Sequence, residues 1–381
     1  MPDSSFPTVI PFDQVLKALQ DTETPLTPRF LYRFSDLEDG DLAQLGKIWP
    51  DLPAWRRKAL LEDIEQLGQE DTIMSFEAIG LFALADSDPE VRLPAVRTLW
   101  EYENPAHIDM FLKLLDRDQS PEVRAAAASA LGHYIYLGEL EEIRSNRQRA
   151  IEDRLLSVME QGEAAEVRRN ALESLGYSSR DEVPALIEAA YQSGEKEWVA
   201  SALFAMGRSA NSAWKPQVME MLDNPYPVIR AEAARAAGEL ELSAASARLL
   251  ELLDDPDDRT RLASIWSLSQ LGGDGVREAL ERAFQESEDE ADRNYIEAAI
   301  DNLTFNEDMQ LLPIFDLSET PSKVTELAQD EYRDLLRQAY DGEFEEEFDE
   351  LDLELDDELD WSAELDEGED EDEENAEDFA D

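Results

Sequence analysis

The residue types that most often bind metals or act as nucleophiles are scarce in this sequence. It contains no cysteine and two histidines, His107 and His133. A disulfide framework, a thiolate metal site and a cysteine nucleophile are therefore excluded. Because neither histidine is followed by a glutamate, and a metal site needs several ligands together, we expect both to have a capping or surface role.

Common catalytic motifs are also missing from the sequence. It contains no G-x-x-x-x-G-K-[ST] loop, no H-E-x-x-H helix and no G-x-S-x-G turn, so phosphate cradling, zinc hydrolysis and a nucleophile elbow have no support. Carboxylates are so abundant that no pair stands out, because a glycosidase needs two at a defined separation in a cleft. The sequence thus predicts neither catalysis nor a cofactor.

Charge is the most unusual bulk property of the chain. It has 91 acidic and 33 basic residues and a net charge of -58, and Asp341 to Asp381 holds 25 acidic residues and no basic ones. A surface of this sign repels the phosphate backbone, so we expect no direct nucleic-acid binding. Solubility, adaptation to a salty cytoplasm and capture of a basic partner would each explain the excess.

No segment is typical of export or membrane insertion. Residues 1–21 lack a basic segment followed by an apolar run, and no stretch of the chain reaches about 18 apolar residues. We therefore expect a soluble, cytoplasmic and monomeric protein that makes no membrane contact.

The elements that position the side chains follow from an internal repeat. Fragments that begin at Val91, Val123, Val167 and Ile229 share an aliphatic residue, an arginine and an alanine three residues after the arginine. With degenerate copies, the second residue of each fragment lies at positions 57, 92, 124, 168, 199, 230, 261 and 293. All but two intervals are 31 or 32 residues, and the longest, 44, suggests a lengthened connection around 134–149.

Each fragment predicts a helix with one buried face. Apolar residues at offsets 0, 4 and 8 lie on one stripe, since each step of four residues advances by about 400°. A second apolar helix lies upstream, as at Met110 to Leu115, and one such hairpin cannot bury its stripe alone. The sequence therefore predicts an all-α protein: a right-handed α-solenoid of about eight helical hairpins with a disordered acidic C-terminal tail.

Two signals mark the predicted helix ends. Aspartates before the second helices, such as Asp88 with the proline that follows it, predict N-terminal caps. Gly132, Gly176, Gly207 and Gly238 each follow the first residue of their repeat by nine positions, where a left-handed glycine commonly ends a helix. We therefore expect these glycines to be C-terminal caps.

The fragments, with Asp-x-x-Val-Arg-x-x-Ala at the start of the second helix, resemble the HEAT-repeat superfamily, in particular its short bacterial form, the phycobilisome-lyase HEAT-like repeats. The resemblance covers Asp41 to Leu303 and implies HEAT-type hairpins. It implies little about function, because the superfamily contains scaffolds, adaptors and a few enzymes. Deoxyhypusine hydroxylase needs several His-Glu pairs that this chain lacks, whereas the bilin lyases offer no catalytic signature to match and remain an alternative.

Four parts follow from the repeat and the composition. We expect an N-terminal capping segment at 1–40, the HEAT-repeat solenoid at 41–305, a C-terminal cap with a helix at 306–340 and the disordered acidic tail at 341–381. The caps would cover the apolar faces that the terminal repeats leave open.

A recurring arginine follows the aliphatic residue in most repeats. We expect each one to pair with a carboxylate of its own or the adjacent turn, Asp88 and Asp118 being well placed, although a ladder that binds an acidic peptide is the alternative. The arginines are Arg92, Arg124, Arg168, Arg230, Arg261 and Arg293.

Candidate partner-binding residues lie at the ends of the second helices and in the tail. The former, which would line a concave groove or pack between repeats, are Trp100, Tyr134, Tyr177, Arg180 and Arg208. In the tail, Phe344 and Phe348 begin a helical stripe and Trp361 follows. This segment could fold on a basic partner, dock on the chain's own array, or serve as a solvated spacer.

The function predicted from these features is a non-catalytic protein-interaction scaffold or adaptor that uses its groove, its tail or both. An acidic chaperone or nucleic-acid mimic that shields basic proteins is the main alternative. Charge-driven binding would fall steeply with added salt, whereas binding through aromatic anchors would survive it.

Overall fold

The computed structural model describes residues 10–70, 73–100, 102–160 and 162–310. The predicted acidic tail and nearly all of the predicted 306–340 cap lie outside these ranges. Within them the secondary structure is helical, with 18 α-helices, four short 3-10 helices and no strand. The all-α prediction is therefore confirmed for the described residues.

From Asp39 onward the α-helices pair into eight hairpins, as the repeat predicts. Two helices precede the array: α1 (Phe12–Gln20) and α2 (Pro28–Leu31). The hairpins are α3 (Asp39–Ile48) with α4 (Ala54–Glu70), α5 (Glu77–Ala83) with α6 (Pro89–Leu99), α7 (His107–Arg117) with α8 (Pro121–Glu139), α9 (Ser145–Glu160) with α10 (Ala165–Leu175), α11 (Val183–Tyr191) with α12 (Lys196–Arg208), α13 (Lys215–Met221) with α14 (Pro227–Glu239), α15 (Ser246–Leu252) with α16 (Asp258–Leu271), and α17 (Val276–Glu286) with α18 (Glu290–Gln310).

The second helices form the spine of the array. From α6 onward each second helix packs against its own first helix, and successive second helices pack against one another along the whole array, whereas successive first helices touch only sparsely. Small residues permit the close approach: the Ser174 hydroxyl donates to the Ala128 carbonyl at 2.9 Å, and the Ser267 hydroxyl donates to the Ala234 carbonyl at 2.8 Å. Because the second helices stand closer together than the first, the array curves toward them, and the solenoid prediction is confirmed.

The predicted left-handed conformation of the repeat glycines is wrong. Gly176 is the C-terminal cap of α10 but has a helical φ of -52°, and Gly132, Gly207 and Gly238 lie within helices. A Cβ on Gly176 would come within 2.8 Å of the Ala205 Cα, so the position is small because the next second helix passes against it. Left-handed residues do follow three of these helices, but they are not glycines; they are Glu141, Ala210 and Glu241.

Side-chain N-terminal caps are present at α6, α8 and α16, whereas α14 begins after Tyr226 without one. The Asp88 carboxylate accepts from the Glu90 N–H at 2.9 Å, the Ser120 hydroxyl from the Val123 N–H at 3.3 Å, and the Asp257 carboxylate from the Thr260 N–H at 3.1 Å. Each bond satisfies a donor that the first turn of a helix leaves free. The boundaries between first and second helices therefore follow from local sequence.

The 44-residue interval differs from its predicted form. The extra residues lengthen the helices on either side, because α8 runs to Glu139 and α9 covers Ser145–Glu160, while the connection spans only 140–144. The fourth repeat thus has an unusually long first helix rather than a long loop.

Most of the recurring arginines tie one repeat to the next. Arg92 binds both carboxylate oxygens of Asp118 at 2.7 Å and also donates to the Asp86 carbonyl at 2.8 Å. Arg230 repeats this geometry with both oxygens of Asp255 at 2.8 Å. Further carboxylate pairs join Arg124 to Glu163 and Arg261 to Asp258, whereas Arg168 and Arg293 lie over the rings of Trp198 and Phe284.

Candidate protein-binding surface

One face of the second helices lies away from the buried stripe, and its side chains contact one another across neighbouring second helices. Its side chains come three, six and ten residues after the first residue of each repeat. In the longer α8, the residue thirteen positions after the first also lies on this face. These positions lie about 130° around the helix from the buried stripe at offsets 0, 4 and 8. We call this face the inner stripe, because the array curves toward it.

Aromatic and arginine side chains gather on the middle of the inner stripe. The guanidinium carbon of Arg208 lies 4.1 Å from the ring centre of Phe204 and 4.6 Å from that of Tyr177. Arg235 lies over Phe204 at 3.7 Å, and the rings of Tyr136 and Tyr177 are 5.3 Å apart. We call these five residues the central patch; they join α8, α10, α12 and α14.

Three glutamates surround the central patch. Glu173 accepts from the Ser201 hydroxyl at 2.5 Å, Glu232 pairs with Arg235 at 2.7 Å, and Glu239 also pairs with Arg235. The arginines and glutamates nearly cancel in charge. The patch is therefore far less acidic than the chain as a whole, which carries -58.

The concave surroundings partly dehydrate these charges. Burial lowers the pKa of Arg208 and raises the pKa of both Glu173 and Glu239. The three pKa shifts have one main cause, because the charged form of each group is less well solvated at the central patch than in open water. An incoming polar group would meet charges that are already partly stripped of water, which strengthens its interaction with them.

Arg208 keeps donors for a partner. Its guanidinium has five N–H groups, and one nitrogen, Nη1, donates to the Glu173 carbonyl at 3.1 Å. In the described part of the chain, no carboxylate forms an ion pair with it, and its orientation is fixed by the rings of Tyr177 and Phe204. A planar donor held between aromatic rings is suited to bind the oxygens of a partner.

The inner stripe continues toward the C-terminal repeats. Trp266 of α16 keeps 40% of its surface exposed, and its ring lies 6.5 Å from that of Tyr295 on α18. Exposed aromatic residues that line one continuous face are typical of binding surfaces.

The sequence-predicted candidates separate into different environments. Tyr177 and Arg208 lie together in the central patch, whereas Trp100 caps the end of α6 and is 38% exposed. Arg180 lies away from this face, because it pairs with Asp153 at 2.8 Å and Glu182 at 2.9 Å in the turn before α11. The carboxylates raise the pKa of Arg180.

Tyr134, a candidate predicted from the sequence, is not part of the binding surface. Its side chain is fully buried, and its hydroxyl donates to the carbonyls of Tyr102 at 2.8 Å and Asn104 at 3.1 Å. Burial raises its pKa to about 12. The long α8 carries Tyr134 onto the buried side, where it ties the second helix to the connection before α7.

The other sequence-predicted candidates lie in the tail, and two residues of the central patch were not predicted from the sequence. Phe344, Phe348 and Trp361 lie outside the described residues. Phe204 and Arg235 are not among the candidates predicted from the sequence, because they lie within α12 and α14 rather than just beyond the helix ends. Their sequence signal is the position six residues after the start of each repeat, which also holds Trp266.

The two histidines have local partners. His107 is buried, with its Nε2 2.8 Å from a Glu77 oxygen, and His133 lies 3.6 Å from Glu103. No group of three or more potential metal ligands occurs in the described part of the chain, and no described helix is long and apolar enough to cross a membrane.

These features define an all-α solenoid with an open aromatic and arginine-bearing face, and comparison with known proteins identifies its repeats. The family model for HEAT repeats matches residues 78–149 and 216–301. These two regions thus match HEAT repeats, and the resemblance drawn from the aliphatic-Arg-x-x-Ala fragments is confirmed. No curated protein matches the sequence.

Solved structures with similar helical repeats include three from different organisms. Escherichia coli YibA is 17% identical, with a TM-score of 0.38, over 74% of this chain and 98% of its own. The complex of CpcE and CpcF of phycocyanin lyase from Nostoc sp. PCC7120 is 20% identical, with a TM-score of 0.41, over 60% and 94%. Human deoxyhypusine hydroxylase is 19% identical, with a TM-score of 0.34, over 77% and 96%. Similarity at this level carries no statement about activity or partners.

Proposed function

We propose that this protein is a non-catalytic interaction scaffold, or adaptor, that binds a protein partner through the inner stripe of its HEAT repeats. The observation that carries the proposal is the central patch, where Tyr177, Phe204 and Arg208 come together from two helices. Aromatic residues and arginine dominate the binding energy of protein interfaces. Their stacking also fixes them in place before a partner arrives, which reduces the entropy lost on binding.

The partner that we propose is a protein with a basic surface, bound in the cytoplasm by a monomer without any cofactor. The net charge of -58 would steer such a partner to the array and raise its rate of association. The central patch would then hold it, since its charges nearly cancel and its contacts are aromatic. Long-range charge and short-range contacts thus have separate roles.

An acidic chaperone that shields basic proteins by charge alone is the second candidate, and the same net charge favours it. The two functions differ in what holds the complex together. A charge-only complex loses affinity as salt screens it, because the Debye length falls from about 10 Å at 0.1 M to about 3 Å at 1 M. A complex anchored by the central patch would persist.

The test is capture of one identified partner by the full-length chain. The double variant Phe204→Ala/Arg208→Ala should lose that partner at high salt by at least about tenfold, since two central anchors are removed. Tyr226→Ala is the matched control, because Tyr226 is a 54% exposed aromatic outside the patch. Circular dichroism would confirm that both variants fold. Loss of the partner from all three proteins at high salt would argue for the charge-only function, and equal retention by all three would contradict anchoring by the central patch.

A further inference from the structure

The N-terminal end of the array carries a groove separate from the central patch. It lies between α2 and α4, has a volume of about 680 Å³, and is lined by Tyr32, Trp55, Asp63 and the loop at 22–26. Tyr32 is 47% exposed and Trp55 is 54% exposed, so both aromatic side chains face solvent.

The register of the repeats explains why this groove is open. Seven residues after the start of each repeat, the second helix turns a residue toward the preceding second helix. In later repeats that residue is buried, as with Ser174, Ala205, Ala236 and Ser267. In α4 it is Asp63, and the array has no second helix before α4. The short α2 therefore covers only part of this end.

The carboxylate of Asp63 has no cation paired with it in the described part of the chain. The neighbouring cation, Arg56, is already engaged: its guanidinium donates to the carbonyls of Leu19 at 3.2 Å, Ala18 at 3.1 Å and Asp21 at 3.0 Å. Partial burial is the main cause that raises the pKa of Asp63, with repulsion from Glu62 adding to it. An approaching cation would reverse that burial cost, which favours its binding.

Aromatic walls beside a carboxylate are the chemistry that recognises a cationic side chain. A guanidinium or ammonium group gains energy over the face of tryptophan or tyrosine, and more so where water is partly excluded. A neutral apolar side chain would leave the Asp63 carboxylate facing it without compensation. Glu23 also lines the groove, so its two carboxylates outnumber the one cation there, Arg56, whose guanidinium carbon lies 5.9 Å from the Trp55 ring centre.

We propose that this groove binds an arginine or lysine side chain of a basic protein segment, with Trp55 and Tyr32 as its walls and Asp63 as its counter-ion. The inference deepens the proposed function, on which it rests, by giving the chemical class of the partner. It places a second contact at the N-terminal end of the array, so that a partner would be held at two separate points.

The test uses a synthetic decapeptide with two arginines in a glycine–serine background, bound to the full-length chain. The reference is the same peptide with citrulline in place of arginine, which keeps the shape and removes the charge. We expect the citrulline peptide to bind at least about tenfold more weakly. Trp55→Ala should weaken binding of the arginine peptide by about 3- to 30-fold, the range of one partly desolvated cation–π contact. Asp63→Asn should weaken it by about threefold or more.

Matched controls separate the groove from the general acidity of the chain. Tyr226→Ala removes an aromatic residue as exposed as Trp55, and Asp274→Asn removes one exposed negative charge, as Asp63→Asn does. Both should bind the arginine peptide as the unmodified chain does. Equal weakening in the control and groove variants, or equal binding of the two peptides, would overturn the proposal.

A variant of the central patch and the oligomeric state of the full-length chain test the proposal further. The variant Phe204→Ala/Arg208→Ala should still bind the arginine peptide, because the groove does not include these residues. The proposal for the central patch can therefore be contradicted while the proposal for the groove is supported, and the groove proposal can be contradicted while the central-patch proposal is supported. If sedimentation shows dimers of the full-length chain that Trp55→Ala abolishes, the groove is covered by a second copy and the proposed occupant is wrong.

Discussion

At the scale of single residues, the arginine that recurs in the repeats acts mainly as a connector. Arg92 on α6 pairs with Asp118, which lies in the turn between α7 and α8. Both side chains are mostly buried, with 4% of Asp118 and 13% of Arg92 exposed. Its third bond, to the Asp86 carbonyl, holds the turn that precedes its helix. Arg92, Arg124 and Arg230 therefore each join two turns and two repeats through one side chain.

Replacing Arg92 by alanine should lower the free energy of unfolding by about 3 kcal/mol, because Asp118 would be left buried without its counter-charge. Chemical denaturation and amide hydrogen exchange over residues 86–124 would measure the loss. Exchange is needed because repeat arrays can open locally rather than as one unit.

The matched control is Arg259→Ala. Its ion pair with Asp257 is 3.3 Å long and Arg259 is 69% exposed, so the cost should stay below about 0.5 kcal/mol. Similar losses for the two variants would contradict a structural role for the buried pair.

The cost of Arg92→Ala should also depend on pH. Burial of Asp118 opposes its charge, but hydrogen bonds from Arg92 and the Ser120 N–H outweigh burial and lower its pKa below 3.8. A lowered folded pKa gives stability that is present above the unfolded value and is lost as the pH falls through the folded value. The gap between the unmodified chain and Arg92→Ala should therefore narrow as the pH falls below about 4. A constant gap in denaturation curves from neutral to acid pH would refute this linkage.

At the scale of helices, the distance between successive second helices is set by small residues. Gly176 faces the backbone of Ala205, and Gly238 faces Ser267. A side chain at either glycine would collide with the next second helix. The Ser267 hydroxyl donates across the second of these interfaces to Ala234, and the Ser174 hydroxyl donates to Ala128 between α10 and α8. The spacing of the second helices, and hence the curvature that creates the inner stripe, depends on these positions.

The variant Gly176→Ala should lower the free energy of unfolding by about 1–3 kcal/mol, the usual cost of overpacking. The added Cβ would lie 2.8 Å from the Ala205 Cα, and backbone yields less easily than a side chain. Because the same shift moves α10 from α12, the fluorescence of Tyr177 and its neighbours should change too.

The control for this variant is Gly40→Ala, where a Cβ would meet nothing within 4 Å. There the loss of glycine's backbone freedom should stabilise helix α3 by up to about 1 kcal/mol. A stabilising effect of Gly176→Ala would mean that the two helices are not held in close contact.

At the scale of the whole molecule, the acidic excess works against the folded state. A chain with a net charge of -58 repels itself, and compaction brings the charges together. Many cations are held in pairs that are largely buried, such as Arg57 with Asp86, and salt screens buried pairs less than exposed charges.

Added salt should therefore raise the melting temperature of the full-length chain, most steeply at low salt, because the Debye length falls from about 30 Å at 0.01 M to about 10 Å at 0.1 M and about 3 Å at 1 M. Thermal unfolding followed by circular dichroism would measure it, with glycerol at matched osmolality as the uncharged control. A melting temperature that falls with sodium chloride would show that exposed ion pairs outweigh the self-repulsion.

Sequence alone determined the features that depend on short-range periodicity. The 0, 4, 8 spacing predicted the second helices, the interval of about 31 residues predicted eight hairpins, and Asp88 marked a helix start correctly. These features follow from the geometry of one helix and from hydrogen bonds between residues close in sequence. Pairing of Arg92 with the next turn was also predictable, since both groups recur with the repeat.

Only the tertiary structure decided which side of each second helix meets a neighbour and which side stays open. That choice made Gly176 a contact point rather than a left-handed cap, buried Tyr134, and brought Phe204 and Arg208 to one surface. It also left Asp63 facing a groove where later repeats bury a small residue. The physical reason is that stacking involves residues about 31 positions apart, and the distance between two helices depends on side chains from both.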